Sequence, residues 1–103
     1  MSQQGNSGQV QTNAKPKLGL PCDKTMQQAV KLSIKLCKPI CFYFYVDSLK
    51  NRVCIASDGE DRIIYKNDEE HTSPILNTYK VNSEYIVVTE NTIYILTSTT
   101  PIR

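Results

Sequence analysis

Four cysteines and a single histidine are the residues of this 103-residue chain best suited to chemistry. Zinc takes four soft ligands in a tetrahedron, usually delivered as two tight pairs. Cys37 and Cys41 make the one tight pair, with Pro39 between them; Cys54 would have to approach from a neighbouring strand, and Cys22 or His71 would have to complete the set. That spacing reads instead as free thiols acting as small buried hydrophobes, so no metal or other cofactor is expected. His71 lies in Asp68-Glu69-Glu70-His71-Thr72-Ser73. A hydrolytic site would pair it with Ser73 or a cysteine and a carboxylate. Neighbours in a polar loop rarely aim at one reacting atom, and the chain has neither a nucleophile elbow nor a glycine-rich phosphate loop. The loop also lacks the alternating ligand spacing of a calcium site. His71 is read as a solvated loop residue, and the chain as non-enzymatic.

Lysines and tyrosines are the remaining candidates, for contact rather than catalysis. Lys24, Lys31, Lys35 and Lys38 form a basic stripe at helical spacing. Such a stripe could rest on phosphates, but it carries no arginine fork. Tyr43 and Tyr45 are expected on one face of a strand, where they could stack bases or fill a protein interface, and Tyr94 on a strand near the C-terminus. Net charge is only +2, too small to draw the whole molecule to nucleic acid or an anionic membrane. Nucleic-acid binding is therefore open but not favoured.

These residues need elements to position them. Met26, Ala29, Val30, Ile34 and Cys37 share a broad face, widened by Leu32 and Leu36, which predicts an amphipathic helix over Thr25–Lys38. Pro39 stops it. After Pro39 the apolar period changes to two, and Ile40–Val46 reads as a strand with Phe42, Phe44 and Val46 on one face. Further strands are expected at Arg52–Ser57, Asp61–Lys66, Thr78–Val81, Glu84–Thr89 and Thr92–Thr97. Turns are expected at Asp47–Asn51, Asp58-Gly59, Asn82-Ser83 and Glu90-Asn91, with an acidic loop over Asn67–Pro74 and a fraying tail. Short turns force antiparallel neighbours. The fold class is thus α+β: a mainly antiparallel meander of five to six strands covered by one N-terminal amphipathic helix. In such a meander Thr92–Thr97 would be an edge.

Residues 1–20 are polar, with little to bury, and read as a flexible arm before a single domain over 21–103. Charge is uneven. From Asp23 to Arg52 there are six basic and two acidic residues, and from Val53 to Arg103 four basic and eight acidic. The helix side is expected to be positive and the distal sheet negative, which favours packing against other proteins or another copy. No apolar segment suits a signal peptide or a membrane span, so an intracellular location without membrane insertion is expected.

Lys38-Pro39-Ile40-Cys41-Phe42-Tyr43-Phe44-Tyr45-Val46-Asp47-Ser48, together with Asp68–Ile75 and Glu84–Asn91, resembles the small conserved proteins of nucleocytoplasmic large DNA viruses. The resemblance implies an assembly role, such as a minor capsid or virion component in the host cytoplasm or particle, and carries over no site residue. The expectation is a structural or protein-interaction component of a larger assembly, acting through its arm and sheet edge. The alternative is a small nucleic-acid-binding or regulatory module using the lysine stripe.

Overall fold

A computed structural model describes residues 20–103, so the arm expected over 1–20 lies, apart from Leu20, outside the described residues. The described chain is α+β. It runs α1 (Asp23–Leu36), β1 (Ile40–Cys41), α2 (Tyr43–Leu49), β2 (Cys54–Asp58), β3 (Asp61–Asn67), β4 (Glu70–His71), β5 (Ile75–Val81), β6 (Glu84–Thr89) and β7 (Ile93–Thr97). A four-stranded sheet has the order β1-β7-β6-β5, and a three-stranded sheet the order β2-β3-β4. All pairings are antiparallel except β1 with β7, which is parallel. The expected meander is therefore corrected to two sheets, seven strands and two helices.

The larger sheet is the middle layer. On one face Ile86, Val88, Ile93 and Ile95 pack against Ala29 of α1, with Met26 and Leu32 at the margin. On the other, Val87 and Leu96 meet Ile55 and Ile64 of the smaller sheet, joined by Phe44 of α2. This explains why β6 reads as an almost unbroken apolar run: both of its faces are covered. Each fully buried Ile, Val or Leu stabilises the fold by about 1.5–3 kcal/mol relative to an exposed one.

The largest departure from expectation is Ile40–Val46. Only Ile40 and Cys41 are strand, and the rest of the run opens α2. The aromatic alternation suits a strand, but the helix places Phe44, Tyr45 and Ser48 on one side, all buried. Phe44 joins one core and Tyr45 the other. Tertiary packing outweighs β-propensity here. Before it, Cys37 ends α1 at φ 57°, a left-handed C-terminal position usually given to glycine.

Smaller corrections follow the same lines. The Asp58-Gly59 turn is shifted by one residue, so Gly59 (φ 67°) and Glu60 lie between the strands. The acidic loop contains β4, and Thr72 is buried where its hydroxyl accepts the Ile64 N–H at 3.0 Å. The tail does not fray. Ile102 bridges Ile55 in parallel, with Ile55 N–H donating to Pro101 O and Arg103 N–H to Ile55 O, each at 2.8 Å.

Candidate interaction surface

Every strand edge exposes backbone donors and acceptors that can pair with another chain. On the larger sheet one such edge is closed. β7, expected to be an edge, lies between β6 and β1, and where the two residues of β1 run out, α2 takes over. Ser48 Oγ accepts the Thr97 N–H at 3.1 Å while donating to Tyr45 O at 2.6 Å. In the smaller sheet, the Ile102 bridge covers β2 at Ile55, and the two residues of β4 cover only the end of β3.

β5 is different. It has seven residues, pairs among the described residues only with β6, and its interior residues Leu76 to Lys80 are all exposed. The turn that leads out of it is a two-residue hairpin, Asn82-Ser83, with Asn82 at φ 54° as such turns demand at their first central position. In a hairpin of this kind the flanking pair, Val81 and Glu84, is hydrogen-bonded. Alternation then makes Tyr79–Ile86 the next bonded pair and turns the N–H and C=O of Thr78 and Lys80 away from β6.

A groove runs beside this edge. Lys24, Gln28 and Leu32 of α1 line one wall, Tyr79 and Val81 the other, with Ile86 among the lining and a volume of about 430 Å³. It exists because α1 covers the centre of the sheet but not β5. Thr25, Ala29 and Leu32 face the core, which turns Lys24, Gln28, Lys31 and Lys35 towards the β5 side. Lys24, Lys31 and Lys35 are exposed there. Lys38 leaves the predicted stripe: its Nζ donates to Thr89 O at 2.7 Å and ties the end of α1 to the end of β6.

The tyrosines also separate. Tyr45 is buried, so it offers no contact surface; burial raises its phenol pKa, with the Glu84 carboxylate adding to the effect. Tyr43 stays exposed, but its hydroxyl donates to Glu70, which raises its pKa, and Lys66 Nζ sits 5.7 Å from its ring. Lys66 also pairs with the buried Asp47 at 3.2 Å, so this group clamps α2 to the smaller sheet. Tyr94 lies on the interior strand β7, half-buried, its ring 5.6 Å from Phe44. The structure thus keeps three of the four lysines together and disperses the tyrosines. It substitutes Tyr79, whose strand was legible only from Thr78 onward.

A polar cluster fixes the start of α1. Glu84 is only 6% exposed, yet no cation among the described residues pairs with it; Thr25 Oγ1 donates to Oε1 at 2.6 Å and the Cys22 N–H at 3.2 Å. A carboxylate is favoured there because the first turn of a helix presents unpaired N–H groups. The Cys22 thiol lies 3.1 Å from Thr25 Oγ1 and accepts from Asn82 Nδ2 at 3.3 Å. Hydrogen bonds from Thr25 and then Asn82 hold its pKa below the usual thiol value. Of the other thiols only one takes the core place expected of them all. Cys54 is buried, Cys41 half-buried and Cys37 exposed. His71 is exposed, with Nδ1 3.4 Å from Thr72 O, and among the described residues no group of three or more metal-ligating side chains converges.

A second groove of about 440 Å³ lies between the start of α1 and α2, lined by Leu20, Met26, Phe42, Tyr45 and Val46 among others. Among the described residues no helix is long and apolar enough to cross a membrane. No family model, curated protein or solved structure matches the chain.

Proposed function

We propose that this chain is a protein-interaction component of a larger assembly, and that it docks sideways through β5. The observation that carries this reading is the edge of β5, a seven-residue strand on which no described residue pairs with the outward groups of Thr78 and Lys80, while the edges of β7, β2 and β3 are each covered at least in part. Exposed Leu76 and Tyr79 add contact area of the kind that protein interfaces use. The resemblance to small proteins of large DNA viruses supports the same reading and suggests a virus particle as the setting. In this reading the chain is a binding part, not a catalyst.

Hydrogen exchange on the full chain, alone and in its native complex, tests the proposal. The outward amides of Thr78 and Lys80 exchange quickly in the free chain and become protected in the complex. Protection gained elsewhere, with β5 unchanged, overturns it.

A further inference from the structure

We propose that the β5 edge and the adjoining groove take an acidic, extended segment of a partner protein, added as a further strand of the sheet. This rests on the docking reading above and names the chemistry of what docks.

Backbone geometry sets the form of the ligand. Thr78 and Lys80 offer outward N–H and C=O groups that only another extended chain can satisfy in series. Side chains of an added strand alternate between faces. Tyr79 and Val81 share a face with Ile86 and α1, so every second residue of the incoming segment lies along the groove. There it meets apolar surface from Leu32 and Tyr79.

Charge sets its sign. Lys24 and Lys80 line the groove, and the exposed Lys31 and Lys35 follow Lys24 on the same flank of α1 at helical spacing. No carboxylate occurs from Ile75 to Ser83. The nearest one beyond the turn, Glu84, is buried and occupied by Thr25 and the Cys22 N–H. The edge is therefore positive towards its Thr78–Lys80 end, the exposed Glu90 lying beside Pro74 at the other, and an acidic segment is drawn to the positive end and held in register. A second copy fits poorly. Antiparallel pairing of β5 with itself has a two-fold axis normal to the sheet, which sets both α1 helices on the same side with their lysine flanks facing each other. Nucleic acid would find the same charge but could not use the strand edge, and Tyr79 is the one exposed ring in the groove.

The test measures binding to the full chain by fluorescence anisotropy. The probes are a capped peptide alternating glutamate with valine, its lysine–valine counterpart, the glutamate peptide N-methylated at alternate residues, and a short oligothymidylate. The acidic peptide binds and the basic one does not. N-methylation abolishes binding without touching the protein, and Thr78→Pro does the same from the other side while the circular dichroism spectrum is kept. The pair Lys24→Glu with Lys80→Glu weakens binding by about tenfold or more, with a matching loss of salt sensitivity. Equal binding of the basic peptide, or none of the acidic one, overturns the proposed chemistry while leaving strand addition standing. If N-methylation and Thr78→Pro change nothing, or if oligothymidylate displaces the acidic peptide, both the inference and the docking reading fall.

Discussion

The two sides of the larger sheet solve the same problem in opposite ways. At β7 a two-residue parallel strand and then a helix close the edge, and one serine hydroxyl satisfies the last backbone donor. At β5 no described residue does either. The covered side also holds the aromatic packing of Phe44 with Tyr43 and Tyr94, at ring separations of 4.9 and 5.6 Å. The bare side holds mostly polar and exposed residues. An open edge of this kind is a place where association costs little, because no existing contact has to be broken.

Changes on the covered side should dominate stability. Phe44→Ala removes the side chain that joins α2 to both sheets and should cost about 3–5 kcal/mol, read from urea unfolding. If the loss is under about 1 kcal/mol, α2 is not the cover described here. Ser48→Ala leaves the buried Thr97 N–H without its partner and should cost about 1–3 kcal/mol. The same substitution should accelerate exchange of the Thr97 amide selectively. On the bare side, Leu76→Ser should change stability by no more than about 0.5 kcal/mol, since the side chain is half in water already. A larger loss would show that Leu76 itself is packed against something in the free chain.

The smallest effect sits where the bare strand turns back. Asn82→Gly keeps the left-handed backbone but removes the amide that donates to the Cys22 thiol. A thiol whose pKa is lowered has more thiolate at neutral pH, so losing that donor raises the pKa again. Alkylation of Cys22 should then slow near neutrality and its rate profile should move to higher pH, with little change where the thiol is already ionised. An unchanged profile would mean that Thr25 alone sets the thiol's acidity.

Much of this fold was legible from period and turn chemistry. The helix at Asp23–Leu36, the strand at Glu84–Thr89 and the Asn82-Ser83 turn follow from local patterns that long-range packing happens to respect. Ile40–Val46 was not legible, because two neighbouring aromatics, Phe44 and Tyr45, enter different cores and no local period encodes that. The lysine flank could be read from helical spacing, apart from Lys38, which lies past the helix and reaches back to Thr89. The edge could not. Which strand ends a sheet depends on pairings such as Ile40 with Ile93, made between distant parts of the chain. Glu84 carried no sequence signal as the anchor of α1, since its partner Thr25 lies 59 residues away.

The parallel pairing of β1 with β7 also bears on how the chain is made. During synthesis α1 and β1 emerge more than fifty residues before β7, the strand that completes their layer. Until then Met26, Leu32 and Ile40 have no apolar wall to lie against. A nascent chain of this kind stays sticky until β7 has emerged, and the non-local pairing that closes the layer slows its folding.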